Sequence, residues 1–388
     1  MLINFFILLT FVISATIGFI VVPKIVTISK KKGLFDYVNE RKVHTSPIPR
    51  LGGVSFLPAL TFSVAFVMGL RYFFGVGIPP QICYSVLLEM LFLLCGFLIL
   101  YFTGLADDLV NVSFRYKLVA QFLASSMVIL SGVYVNSLHG FIGVYQIHPI
   151  IGYLLTIILV SFVINAINLI DGIDGLATGL SSIALFALGL WFWEMELYIY
   201  SMLSVGMLGV IVPFFIYNVF GNRHKIFMGD TGSLLIGFLI AFLSAKLCMI
   251  VSDGSTTSFR NAPTFVFSIL FIPLFDAARV FAERIRKGKS PFHPDKTHIH
   301  HKFLALGFSH KQAMVTILFI AGLVILLNYY LSKVLNINMM LLVDIALGVL
   351  MMVTLHRIKQ HQEEEIDGSN ALEPVINISE KCNKPSNL

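Results

Sequence analysis

Two adjacent carboxylates, Asp107 and Asp108, stand in the run Gly104-Leu-Ala-Asp-Asp-Leu-Val-Asn111. Such a pair repels itself unless a cation or a proton relieves it. It reads as a metal-linked or proton-accepting pair facing an anionic substrate, with a solvated loop that uses Lys117 as its partner as the plainer alternative. A second patch, Asn165-Ala-Ile-Asn168-Leu-Ile-Asp171-Gly-Ile-Asp174-Gly175, spaces Asn168, Asp171 and Asp174 at i, i+3 and i+6, near one face if helix continues. Two carboxylates and two amides exceed what capping one helix end requires. In a third patch, Phe227-Met-Gly-Asp230-Thr-Gly-Ser233, Asp230 and Thr231 either cap a helix or offer a carboxylate to a hard cation while free amides face phosphate oxygens.

A fourth patch, His298-Ile-His300-His301, has no Cys beside it and lacks the spacing of a zinc helix pair. Imidazoles beside Arg and Lys fit an anion-binding loop better than a zinc site. The segment Asp36 to Gly53 carries Arg41, Lys42, His44 and Arg50 among two prolines and two glycines. Prolines and glycines give a shaped loop, and its cationic side chains suit phosphate. Asp276 and Arg279 read as an intrahelical i, i+3 pair.

The elements that must position these residues are membrane helices. The chain has 388 residues, 57% of them hydrophobic and 12% charged, with a mean hydropathy of +0.86. That is too apolar for an ordinary water-soluble protein. The net charge of +6 is spread over short loops rather than gathered into one stripe, so nucleic acid is not the expected partner. Four cysteines without a CxxC pair give neither a disulfide framework nor a zinc ribbon.

Apolar windows long enough to cross a bilayer fall at 2–22, 51–70, 84–103, 117–137, 150–167, 176–193, 198–219, 232–250, 262–283, 312–331 and 339–356. The expectation is an all-α, polytopic integral membrane protein of eleven transmembrane helices. With the amino terminus outside, the inner ends hold 23 of the 27 Lys and Arg, and the outer loops hold three, Arg71, Arg260 and Lys333. The positive-inside rule thus places the amino terminus outside and the carboxyl terminus in the cytoplasm. All four patches and the Asp36 to Gly53 loop then share the cytoplasmic face. Residues 1–357 form the expected transmembrane catalytic domain, and 358–388 a polar tail expected to be disordered. Residues 2–22 lack a basic leader and a small-residue cleavage site, so they read as a retained span.

Taken in order, Arg41-Lys-x-His44-x-x-Pro-x-Pro-Arg-Leu-Gly-Gly53, Gly104-x-x-Asp-Asp108, Asn168-x-x-Asp-Gly-x-Asp-Gly175, Met228-Gly-Asp-x-Gly-Ser233 and His298-x-His-His301 resemble the motifs of the polyprenyl-phosphate N-acetylhexosamine-1-phosphate transferases. The resemblance implies transfer of N-acetylhexosamine-1-phosphate from a UDP-N-acetylhexosamine to a membrane acceptor, undecaprenyl phosphate, with release of UMP. It implies a Mg2+ cofactor, with Mn2+ as a substitute, and a multi-pass protein of the inner membrane whose site faces the cytoplasm. By the same resemblance Asp230 is a magnesium ligand helped by Asn168, and Asp107 or Asp108 positions or deprotonates the lipid phosphate. Asp171 and Asp174 line the nucleotide-sugar site, while Lys117, Arg50, Lys42, His44, His298, His300 and His301 hold phosphates or the sugar.

The muramoyl-pentapeptide branch of that family carries a Lys-x-Gly-Thr-Pro-Thr-Met-Gly-Gly loop and a His-His-His run, and this chain departs from both. It is more similar to the branch that transfers N-acetylglucosamine-1-phosphate to start a surface polysaccharide, with a related N-acetylated deoxyhexose donor and a homodimer left open. A secondary transporter is the other class weighed. Transporters place ionisable groups near the bilayer midplane, whereas Glu89, Lys246 and Asp344 lie towards outer helix ends and the acids above at inner ends.

Overall fold

The computed structural model describes residues 2–36, 48–76, 80–252, 262–290 and 297–372. Helix α1 (Leu2–Lys32) leads through an antiparallel pair, β1 (Phe35–Asp36) and β2 (Ile48–Pro49), and a 3-10 turn (Gly52–Ser55) into α2 (Phe56–Phe73). Then come α3 (Pro80–Val110), α4 (Phe114–Leu130), a hairpin of β3 (Ser137–Phe141) and β4 (Val144–Gln146), α5 (Pro149–Ile170), α6 (Leu176–Glu194), α7 (Tyr198–Phe220) and α8 (Gly229–Ser252). The chain closes with α9 (Ala262–Ile269), α10 (Phe271–Arg286), α11 (Ile299–Ala305), α12 (His310–Leu331) and α13 (Ile337–Leu372). Helix therefore continues well past position 358, where the sequence points to a structureless tail; residues 373–388 lie outside the described residues.

Nine of the described helices are long and apolar enough to cross a membrane, and the pair α9 and α10, bent by 74°, makes a tenth if it is one broken span. The window at 262–283, continuous in hydropathy, breaks at Leu270. Pro273, three residues on, has no N–H with which to continue the α-helical ladder, and a break just before it follows. The remaining window, 117–137, is helical only over the 17 residues of α4, so the count of eleven is not reached by length.

Helix α8 is the axis of the bundle. Every residue from 228 to 244 is buried, with α3, α5, α6 and the 3-10 turn packed around it. Its run of Leu, Ile and Phe on all sides is the pattern of a helix that meets protein rather than lipid. In contrast, α1 buries one residue per turn, Phe6, Thr10, Ser14, Gly18, Val22 and Val26. Gly18 lies against Pro213 of α7 and Gly209 against the Phe11 carbonyl, the close small-residue contact that holds helices together in lipid.

Helices α3 and α5 end where α8 begins, so two carboxyl-terminal ends and one amino-terminal end meet at one end of the bundle. The 3-10 turn is stitched to the same place: Gly53 N donates to Met228 O (2.8 Å), Gly52 N to Phe227 O (3.0 Å) and Phe227 N to Pro49 O (2.8 Å). A Cβ on Gly53 would strike the backbone of Gly232, so this turn can seat on α8 only with glycine there.

Candidate active site

Asp108 does the work of a helix cap from a different helix. Its carboxylate accepts from Asp230 N (2.8 Å), Thr231 N (3.0 Å) and Thr231 Oγ1 (2.6 Å), satisfying amide donors that the first turn of α8 leaves without partners. The side chain is fully buried, and Arg50 Nε lies 3.4 Å from the same carboxylate. Gly229, with φ +73, makes the turn into α8, and a Cβ there would collide with the Arg50 carbonyl and the Asp108 carboxylate.

Asp107 points elsewhere. One oxygen accepts Val112 N (2.8 Å), closing the end of α3, and the other faces Lys117 Nζ (3.3 Å) and Arg50 Nη2 (3.9 Å). Asp230 binds the same two cations, Lys117 Nζ at 2.7 Å and Arg50 Nη2 at 3.0 Å. Oxygens of Asp107, Asp108 and Asp230 lie within 4.8 Å of one another, a group that could hold a metal ion. The donors are all hard carboxylate oxygens, which suit Mg2+ or Mn2+ rather than zinc. Arg50 and Lys117 supply the charge that lets three carboxylates share so small a space.

The second patch forms one wall. Asn168 Nδ2 donates to Ser233 Oγ (2.8 Å), which ties α5 to α8. Asp171 closes the end of α5 at a position exposed to solvent. Asp174 turns away to Lys225 Nζ (2.7 Å) and Asn218 Nδ2 (3.3 Å). Asn218 also accepts Gly175 N (2.7 Å) and donates to Ile226 O (2.9 Å), so one buried amide fixes both the 171–175 loop and the approach to α8. Neither Asn218 nor Lys225 stood out in the sequence, because each is a lone polar residue at the end of an apolar or basic run.

The histidine loop docks on that wall. His298 Nδ1 lies 2.8 Å from Asp276 Oδ2, and Asp276 Oδ1 accepts Ile299 N (3.0 Å), the first amide of α11. Arg279 pairs with Asp276 at 2.7 Å, the expected i, i+3 contact, and reaches Thr297 O at 2.6 Å. Asp276 thus caps α11 much as Asp108 caps α8. The ring of His300 presses on Gly172, and burial, then the neighbouring His301 and His298, push its pKa down to about 3. His300 is therefore a neutral imidazole. His298 and His300 are buried, and His301 is the half-exposed member of the three. Lys42 and His44 lie outside the described residues.

Residues 90–248 match the pattern described as glycosyl transferase family 4. The undecaprenyl-phosphate alpha-N-acetylglucosaminyl 1-phosphate transferase of Escherichia coli strain K12 is 34% identical over 301 residues, 76% of this chain and 76% of its own. The chain belongs to glycosyl transferase family 4. The protein of the same name from Salmonella typhimurium is 35% identical over 298 residues, covering 76% and 75%. A decaprenyl-phosphate N-acetylglucosaminephosphotransferase of Mycobacterium tuberculosis is 29% identical over 318 residues, again 76% and 75%. The family region runs from within α3 to within α8 and so contains all three clustered carboxylates, Lys117 and the 168–175 wall, while Arg50 and the histidine loop join from outside it.

Proposed function

We propose that this family 4 protein transfers N-acetylglucosamine-1-phosphate from a UDP-sugar to undecaprenyl phosphate, giving the lipid diphosphate sugar and UMP, as the first membrane step of a surface polysaccharide. The observation that carries the reading is the interleaving of three carboxylates within 4.8 Å with Arg50 and Lys117 at one end of the helix bundle. The acceptor's tail needs lipid and its head needs a water-borne donor, and a site at helix ends serves both. The relatives' names support the sugar and the lipid.

Mg2+ fits the donor set, and Asp230 would hold it, because Asp108 is already engaged by three donors and Asp107 is kept for the proton. The ion would offset the repulsion between two phosphate groups brought together. Arg50 and Lys117 are placed to take phosphate oxygens, Arg50 through a planar fork and Lys117 as a point charge. Asp107 has one oxygen that takes no backbone hydrogen bond and faces Lys117 and Arg50, and it would receive the acceptor phosphate's proton as that phosphate attacks the donor's β-phosphorus directly. A covalent aspartyl route through Asp108 is disfavoured, since a buried carboxylate capping a helix is a poor nucleophile. We place the amino terminus outside the cell and the site on the cytoplasmic face, on the 23 to three division of basic residues.

The test is UMP release by the purified protein. It is expected only when UDP-N-acetylglucosamine, undecaprenyl phosphate and Mg2+ are all present, and to vanish in Asp230→Asn with the melting temperature unchanged. Equal release without acceptor lipid, or normal rates in that variant, sinks the reading. Labelled UMP is not expected to exchange into UDP-sugar in the absence of lipid.

A further inference from the structure

Three polar side chains that the proposed chemistry does not use meet inside the bundle, far from the acidic cluster. Lys246 Nζ on α8 lies 2.7 Å from Glu89 Oε1 on α3. Tyr200 OH on α7 donates to Glu89 Oε2 at 2.6 Å, and its ring lies 5.2 Å from the same ammonium. All three residues are buried. Glu89 is eighteen residues before Asp107 on one continuous helix, about 27 Å along its axis. The site is therefore beyond direct reach of this pair.

The seam between the two clusters explains what the pair does. Helices α3 and α8 run antiparallel, and their contacts repeat every seven or eight residues. Glu89 meets Lys246, Gly96 lies against the Phe238 ring, and Gly104 lies against the Thr231 backbone. Beyond Gly104, Asp108 caps the start of α8. Gly96 and Gly104 set how closely the helices approach at two points, and the ion pair adds the directional polar contact at the far end of the seam. An ion pair in a medium without water cannot be remade after a slip. A single buried polar contact that fixes register is the best-attested use of such groups.

We infer that Glu89, Lys246 and Tyr200 are positioning residues that pin the register of α3 against α8, and so hold Asp107 and Asp108 opposite Asp230. The inference rests on the proposed reading of that acidic site. One turn of slip would carry Asp108 away from the amides it caps and separate Asp107 from Asp230.

The experiment uses the full chain in detergent with undecaprenyl phosphate and compares wild type with Glu89→Met/Lys246→Met. Replacing both partners by apolar residues leaves no orphaned charge but takes the acceptor from the Tyr200 hydroxyl, so only the small fall in melting temperature of one lost buried hydrogen bond is expected. The expected result is a kcat about a hundredfold lower, a raised half-saturating Mg2+ and an unchanged KM for the UDP-sugar, with the reversed pair Glu89→Lys/Lys246→Glu restoring most of the kcat. If the double Met variant does not fold, Glu89→Gln/Lys246→Met, which breaks the α3–α8 ion pair but keeps an acceptor for Tyr200 OH, is expected to lower kcat with little change in melting temperature. Wild-type kcat and Mg2+ dependence in the double Met variant, or wild-type kcat in Glu89→Gln/Lys246→Met where that variant has to serve, overturns the pin. Asp230→Asn separates the two readings: activity there defeats the site, whereas an inactive Asp230→Asn beside a fully active double Met variant defeats only the pin.

Discussion

The two neighbouring aspartates have different partners, and substitution should divide them. Asp108→Asn keeps one acceptor oxygen but loses the second, so an amide or hydroxyl at the start of α8 is left unpaired in a buried place. A loss of about 1 to 3 kcal/mol is expected, read as a lower melting temperature together with weakened turnover. Asp107→Asn retains its bond from Val112 N and should abolish turnover with the melting temperature within experimental scatter. Equal thermal behaviour of the two variants would remove the distinction. From sequence the pair was legible as a pair, because two adjacent acids at a helix end need a cation. Which one caps was not legible, since the capped amides lie more than a hundred residues away.

His300 gives a second prediction at the same scale. Its folded pKa of about 3 lies below the ordinary value of 6.5, so the unfolded chain takes up the proton first. The neutral ring's contribution to stability is complete above pH 6.5 and is lost as pH falls towards 3. At roughly 1.4 kcal/mol per pKa unit, acid melting of wild type should be steeper than that of His300→Gln between those limits. Parallel melting curves for the two proteins would refute the buried neutral imidazole.

Among the elements, the 3-10 turn carries the sharpest constraint. Gly53→Ala puts a methyl into the Gly232 backbone, and backbone cannot swing aside as a side chain does. The turn must then lift off α8 and take Arg50 with it, so turnover should fall by at least tenfold, about 1.4 kcal/mol of transition-state binding, with a lower melting temperature. Full activity would mean that Arg50 does not need this seat. The Gly-Gly pair was visible as a shaped loop, but its partner was not, because close backbone approach leaves no mark other than glycine itself. Hydropathy likewise gave the extent of the span at 262–283 and hid its 74° bend. A window average does not register the single missing N–H of Pro273.

At the scale of the whole molecule, hydropathy located the spans well because each must bury about 20 residues of satisfied backbone, while α4, at 17 residues, shows where length alone stops deciding a crossing. Orientation rests on a different quantity, the sidedness of Lys and Arg, and it has its own test. The β3–β4 hairpin and the 221–228 loop lie at opposite ends of α5 and α8. Ile142 on the hairpin tip is 76% exposed, and Arg223, whose carbonyl accepts Lys30 Nζ at 2.8 Å, is also exposed. In a background without the native cysteines, Ile142→Cys should react with a membrane-impermeant maleimide in intact cells, and Arg223→Cys only after permeabilisation. The acidic cluster shares an end of the bundle with Arg223, so the reverse labelling pattern would put Asp107, Asp108 and Asp230 on the outer face. A cytoplasmic nucleotide-sugar could not reach them there, and the proposed donor would have to be abandoned even with the cluster's geometry intact.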